Sequence, residues 1–150
     1  MQDAKHGKGT YYDGVSKIFY DGDFENDQFH GQGVWMRKGN GVYKGNLEFG
    51  LSHGYGEIVY EDGTKYKGDW YRDLRHGHGK YTYSNGDSYE GNWIMGNLND
   101  NSAVVVYNDK SKYVGGYKND MKNGPGKFYQ DGVSKGQTRN YKFNLEDGIN

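Results

Sequence analysis

Five histidines are the first residues in this chain that could bind a metal or move a proton. Four of them, His6, His30, His53 and His76, open the same short motif, His-Gly-x-Gly. Zinc needs its donors gathered at about 2 Å from one ion. Residues at one repeat position are expected instead to stand in a row, about 10 Å (one hairpin) apart. Only His76 and His78 are neighbours, and two ligands do not complete a site. No metal and no cofactor is therefore expected. The carboxylates Asp23, Glu25, Asp69, Asp73 and Glu90 could supply an acid and a base, but that chemistry needs a pocket that pushes two pKa values apart. Ser52, Ser84 and Ser102 lie in turn-like contexts without the strand-to-helix elbow of a nucleophilic serine. Gly-x-Gly here leads into an alternating strand pattern and not a helix, so it does not read as a phosphate loop. A feature copied in every unit belongs to the fold, whereas a catalytic site is usually single. The chain reads as a non-enzyme.

The elements that carry these residues follow from a repeat. Tyr-x-Gly recurs at Tyr20, Tyr43, Tyr66, Tyr89 and Tyr113, spaced by 23 residues three times and then by 24. His-Gly-x-Gly runs in phase with it, and Asn123-Gly124-Pro125-Gly126 is a variant copy. Asp13-Gly14, Asp62-Gly63, Asn85-Gly86 and Asp131-Gly132 close most units, with Gly39-Asn40-Gly41 in the remaining one. In Tyr66-Lys67-Gly68-Asp69-Trp70 every second residue is special, which is the period of a strand. Gly77, Gly79, Tyr81 and Tyr83 alternate in the same way. The Asx-Gly pairs supply the positive-φ residues of tight hairpin turns. Each unit is thus expected to be two antiparallel strands.

Composition agrees with this pattern. Hydrophobic residues make up only 33% of the chain, yet aromatics make up 17% and the net charge is −1, so the chain has ring surface to bury and little self-repulsion to oppose burial. With 26 glycines and one proline, the glycines must hold structural positions or they would destabilise the chain. We expect the rings to lie flat over a neighbouring strand, with glycine beneath where any side chain would lift them. Without cysteine there are no disulfides, which fits an intracellular protein. Met1 to Thr10 holds no secretory apolar run, and no stretch approaches the ~20 apolar residues of a bilayer span. The near-zero net charge excludes an electrostatic case for nucleic acid.

The consensus reads Tyr-x-Gly-x-Trp/Phe/Leu, a polar turn, His-Gly-x-Gly-x-aromatic, then Asp/Asn-Gly. It resembles the MORN (membrane occupation and recognition nexus) repeat from about His6 to Gly132. The expected fold is all-β: a single-layer, twisted antiparallel meander of tandem hairpins, eleven or twelve strands, forming an elongated rod on the order of 50 Å long. The array covers residues 1–150, in units 6–19 (partial), 20–42, 43–65, 66–88, 89–112 (divergent) and 113–135, with an irregular end at 136–150. The resemblance implies a cytoplasmic scaffold or adaptor in a cytoskeletal or ciliary assembly such as a radial spoke. Alternatives are a peripheral phospholipid-binding module, or the accessory region of a larger enzyme such as a phosphatidylinositol phosphate kinase or a lysine methyltransferase.

One layer cannot bury both sides of its rings, and a long exposed apolar stripe marks a binding surface. The residues expected to line it are Phe24, Trp35, Tyr43, Tyr60, Tyr66, Trp70, Tyr81, Tyr83, Tyr89 and Trp93. A helical or extended protein segment fits such a trough. The opposite face carries Lys44, Lys65, Lys67 and Lys80 among acids such as Glu57, a mixture that gives anionic lipid only a weak hold. Open terminal strands make end-to-end or homodimeric self-association a further expectation. In the fourth unit Asn99-Asp100-Asn101-Ser102 and Ala103-Val104-Val105-Val106-Tyr107 replace Gly-x-Gly, and a β-bulge with a local change of groove shape is expected there. Val133 to Asn140 is unpatterned, and Tyr141-Lys142-Phe143 is expected to form a last strand.

Overall fold

The computed structural model describes residues 4–132, 135–142 and 145–146. Val133, Ser134 and Phe143, which figured in the reading of the C-terminal end, lie outside them. The chain divides into two compact units, Met1–Leu74 and Arg75–Asn150. The first holds β1 (Gly7–Asp13), β2 (Ile18–Glu25), β3 (Gln28–Arg37), β4 (Gly41–Glu48), β5 (Leu51–Tyr60) and β6 (Lys65–Tyr71). The second holds β7 (Leu74–Thr82, which opens on the boundary), β8 (Ser88–Ile94), β9 (Asn97–Leu98), β10 (Asp100–Val106), β11 (Lys112–Lys118), β12 (Met121–Tyr129), β13 (Gln137–Lys142) and β14 (Leu145–Glu146). In both units each strand pairs antiparallel with the next in chain order, except that β8 pairs with both β9 and β10. The fold is therefore an open all-β antiparallel meander. β13 begins at Gln137, inside the stretch the sequence left without a pattern, and pairs with β12 from Phe128↔Gln137 to Gly124↔Tyr141.

Register explains the glycines. Gly9, Gly22, Gly33, Gly45, Gly56 and Gly68 stand directly opposite one another across the six strands of the first unit. Beside this glycine rail runs a second line, Tyr11, Tyr20, Trp35, Tyr43, Ile58 and Tyr66, also in register. The tyrosine rings lie over the rail. A Cβ on Gly33 would sit 2.4 Å from the Tyr20 ring, and one on Gly56 would sit 2.3 Å from the Tyr43 hydroxyl. Each such phenol donates to the carbonyl three residues on: Tyr20 to Asp23 at 2.7 Å, Tyr43 to Asn46 at 2.7 Å and Tyr66 to Asp69 at 3.0 Å. The ring thus buries its apolar body on backbone while its polar tip stays bonded.

The second unit keeps this plan with one exception. Tyr113 lies over Gly126, where a Cβ would meet its hydroxyl at 2.3 Å. At the next-door position β10 carries Ala103 where the rail calls for glycine, and a Cβ on Gly91 would stand 3.3 Å from the Ala103 Cβ. The rail is blocked there. Tyr89 consequently remains half-buried and packs edge-on to Tyr83 at 5.6 Å and Tyr117 at 6.2 Å.

The expected bulge of the divergent unit is present, between Asp100 and Ala103, where β10 meets β11. Register shifts also fall at Gly22/Asp23, Gly45/Leu47 and Gly115/Tyr117. Those three recur within the β2–β3, β4–β5 and β11–β12 hairpins, whereas the pairs that correspond to β10–β11, namely β3–β4, β5–β6 and β7–β8, run without a shift, so the Asp100–Ala103 bulge is particular to the divergent unit.

Two turn types alternate along the chain. In the Asx-Gly turns only the glycine is left-handed, with Gly63 at φ +86° and Gly86 at φ +96°. The Gly63 amide donates to Tyr60 O at 3.0 Å and the Tyr60 amide to Thr64 O at 2.8 Å, so the loop is a type I turn closed by a glycine bulge and not the two-residue turn the sequence suggested. At Asp13-Gly14 the left-handed residue is Lys17, not the glycine. Where the sequence showed only a polar stretch there are two-residue turns with both φ angles positive. These are Asn26-Asp27, Phe49-Gly50, Arg72-Asp73, Met95-Gly96 and Asn119-Asp120. The second residue of each donates its amide one repeat back: Asp27 to Lys5 O, Gly50 to Phe29 O, Asp73 to Ser52 O, Gly96 to Arg75 O and Asp120 to Leu98 O, all at 2.8–3.2 Å. Where that residue is aspartate its carboxylate also takes the amide of the same partner, as in Ser52 N to Asp73 at 2.7 Å. These bonds latch repeat to repeat and offset the cost of left-handed non-glycine residues.

Candidate functional site

The ten aromatic residues expected to line a trough divide into two groups. Phe24, Tyr43, Tyr66, Trp70 and Trp93 are buried, with Tyr43 and Tyr66 at 0% exposure. Trp35, Tyr60, Tyr81 and Tyr89 are half-buried, and Tyr83 is 47% exposed. The cover over the first group comes from the residue four positions after each tyrosine. Trp70 meets Tyr66 edge-on at 5.1 Å and Tyr43 at 5.6 Å, and Phe24 meets Tyr20 at 5.2 Å. Trp70 Nε1 donates to Gly56 O at 3.1 Å and Trp93 Nε1 to Gly79 O at 2.9 Å, which pins both indoles to the sheet backbone. Burial raises the phenol pKa of Tyr20, with the Asp23 charge adding to it, to about 12. Burial does the same more strongly at Tyr43 and Tyr117.

A further position, not singled out in the sequence, decides where the aromatic face is open. It lies two residues after each left-handed turn and carries Phe29, Ser52, Arg75, Leu98 and Lys122 in successive repeats. Phe29 stacks on Tyr20 with centroids 3.9 Å apart. The Arg75 guanidinium lies 4.6 Å from both the Tyr81 and the Trp93 ring centroids. Leu98 is 1% exposed. The Lys122 ammonium stands 4.7 Å from Tyr113 and 4.9 Å from Tyr141. In the repeat spanning residues 43–65 the position holds only Ser52, whose side chain is too short to reach over the neighbouring rings. Above it opens a hollow of about 330 Å³ walled by Phe29, Trp35, Ile58, Tyr60 and Trp70. Arg37 and Asp73 bring a cation and an anion to its lining. In the second unit a smaller hollow of about 190 Å³ lies among Tyr81, Tyr83, Tyr89 and Trp93, narrowed by Arg75. The expected groove residues Trp35, Tyr60 and Trp70 therefore meet at one hollow. Tyr81, Tyr83, Tyr89 and Trp93 meet at the other, while Tyr43 and Tyr66 form the floor of the sheet.

The residues first weighed for chemistry have structural contacts. Asp23 accepts from Lys8 Nζ at 2.9 Å and from the Gln32 amide at 3.1 Å, and the Lys8 bond is the main cause of its lowered pKa. His30 pairs with Glu25 at 3.1 Å and His53 with Glu48 at 3.3 Å, each across its own turn. Glu90 lies 3.7 Å from His78 and 3.8 Å from Lys80. Among the described residues no three His, Asp or Glu side chains gather closely enough to hold a metal.

On the reverse face Glu57 stands between Lys44 and Lys67 in register and forms an ion pair with Lys67. Beside these charges runs an apolar row that the sequence reading did not notice: Tyr12, Phe19, Met36, Val42 and Val59, one from each of β1 to β5 in direct register. Four of the five are 40% exposed or more. A period-two count on each strand would have found it.

Stacked hairpins with a glycine rail, rings laid across it and repeat-to-repeat latches define a β-hairpin repeat protein. The MORN repeat description matches residues 1–14, 20–42, 43–65, 66–88 and 113–134, and the chain belongs to that family. The longest unmatched stretch, residues 89–112, is the repeat in which Ala103 blocks the rail. None of the curated proteins compared with the chain matches it.

Proposed function

We infer that this MORN repeat protein is a non-catalytic interaction scaffold that seats a helical or extended segment of a protein partner on its aromatic face. The hollow above Ser52 carries this reading. It is a recess of mixed lining, with aromatic and aliphatic walls and the polar groups of Arg37, Asn40, Ser52 and Asp73 among them, which suits recognition of a segment that is part apolar and part polar. The walls are rigid because Trp70 is pinned to Gly56 O and Trp35 stacks on Tyr43 with centroids 5.7 Å apart. A preformed recess loses little entropy when a segment docks. The family supports placement in a cytoskeletal or ciliary assembly in the cytoplasm. A phospholipid-binding role draws less support, because the reverse-face lysines stand among glutamates.

The test is peptide-display selection on the whole chain, followed by affinity measurement on Tyr60→Ala and Trp35→Leu. Both positions line the hollow without being fully buried. Selected peptides are expected to bind each variant about ten-fold more weakly, a loss of one anchor contact. Unchanged affinity in variants with native circular dichroism would show that the hollow is not the docking site.

A further inference from the structure

Building on the groove reading, we propose that the hollow above Ser52 is an arginine-accepting subsite, and that the docked segment places a guanidinium there.

The repeat supplies the template. Arg75 occupies the equivalent position one repeat later, lying on Tyr81 and Trp93 and donating Nη2 to Gly96 O at 2.6 Å. Twenty-three residues earlier the same three partners are Ile58, Trp70 and Asp73. The indole is kept, and its Nε1–H makes the same bond to the sheet in both repeats, to Gly56 O and to Gly79 O. The turn residue is kept as well, but it is aspartate in place of glycine. Asp73 uses Oδ1 to take the Ser52 amide at 2.7 Å, and it lines the hollow. The slot thus holds no long side chain of its own and borders a carboxylate, the latch aspartate that also occurs as Asp27 and Asp120. A flat cation that stacks on an aromatic face and pairs with a carboxylate is the complement of that arrangement. A planar guanidinium suits it better than the compact ammonium of lysine, which cannot stack and bond in one plane. Arg37 lines the same hollow and opposes the charge of the guanidinium, which the Asp73 carboxylate offsets.

Phe29 fills its slot with a ring, so an aromatic anchor is the rival occupant. The slot of Phe29 faces Gly50, which has no side chain, whereas the slot of Ser52 faces Asp73. A guanidinium can both stack on Trp70 and pair with that carboxylate, whereas a ring, like the Leu98 side chain facing Asp120, would leave Asp73 only its bond to the Ser52 amide.

The experiment is a ¹⁵N-resolved NMR titration of the whole chain with Nα-acetyl-arginine amide, and in parallel with Nα-acetyl-citrulline amide, which has the same shape and no charge. Arginine is expected to shift the Trp70 indole N–H and the amides of Gly50, Ser52 and Asp73 saturably, with citrulline about ten-fold weaker. Asp73→Asn keeps the oxygen that accepts the Ser52 amide and tolerates the φ of +66° at this position. It should bring arginine down to the citrulline level. Equal responses to the two probes, shifts confined to other sites, no shift at all, or an unaltered arginine response in Asp73→Asn would each overturn the proposal. Selected peptides that need Tyr60 and Trp35 but no arginine would remove the subsite and leave the groove standing. Arginine binding without any groove-dependent peptide would do the reverse.

Discussion

Replacing Gly56 with alanine tests the ring-over-glycine principle at one atom. The new Cβ would lie 2.3 Å from Tyr43 Oη, 2.5 Å from Cζ and 2.7 Å from Cε2, so all three nearest atoms belong to a single ring. Tyr43 is fully buried, between the sheet, Trp35 and Trp70, and cannot tilt without disturbing both indoles. Exposing the whole ring would forfeit about 4–5 kcal/mol, taking ~150–200 Å² at ~25 cal/mol/Å². The phenol bond to Asn46 O adds about 1 kcal/mol. Partial accommodation recovers some of this, and alanine returns about 0.5–1 kcal/mol of backbone entropy. The expected net destabilisation is about 3 kcal/mol. Urea denaturation followed by tryptophan fluorescence measures it, since Trp35 and Trp70 both touch the affected ring. The decisive comparison is a double-mutant cycle. In a Tyr43→Ala background those three atoms are gone, and Gly56→Ala should cost less than half as much. If Gly56→Ala destabilises equally in both backgrounds, glycine is there for a backbone reason and the ring argument is wrong.

Three other outcomes are expected. Lys110 sits at φ +66° in the turn where Gly63 and Gly86 occupy the matching place, so Lys110→Gly should raise stability by about 0.5–1 kcal/mol in the same urea assay. Arg75→Ala should destabilise the second unit by about 1–2 kcal/mol through loss of two ring contacts and the Gly96 bond, and Arg75→Lys should recover less than half, as read from thermal melts. Stability should be level from pH 7 to 9 and fall as pH climbs from 10 through 12. Burial raises Tyr20 and Tyr113 each to about 12, so the unfolded chain ionises these phenols first and gains on the folded one. A urea midpoint that falls less steeply in Tyr20→Phe than in the parent would confirm the source.

Much of this architecture was legible because it is local. The 23-residue period, the alternation in Tyr66-Lys67-Gly68-Asp69-Trp70 and the Asx-Gly punctuation announce paired strands before any coordinate is known. The reason for glycine beneath the rings could also be argued from the sequence, since a flat ring over backbone leaves no room for a Cβ. The left-handed turns were less visible. Arg72-Asp73 and Asn119-Asp120 contain no glycine, and their conformation is held by bonds to Ser52 and Leu98, a full repeat away. The bulge of the divergent repeat could be placed because one extra residue shows in the spacing there, while the register shift shared by the other hairpins adds no residue to the count and left no trace in the sequence.

The sequence by itself determined that the chain is an array of hairpins with one aromatic face, because strand period and turn chemistry are set by residues a few positions apart. It did not determine which rings stay open. Tyr43 and Tyr66 are as aromatic as Trp35 and Tyr60, but the first pair lies under Trp70 and the second pair borders a hollow. That difference rests on Ser52, whose meaning appears only when Phe29, Arg75 and Leu98 are seen to fill the same slot. Exposure is a property of what the neighbouring repeat places overhead, and only the tertiary structure brings those distant side chains together.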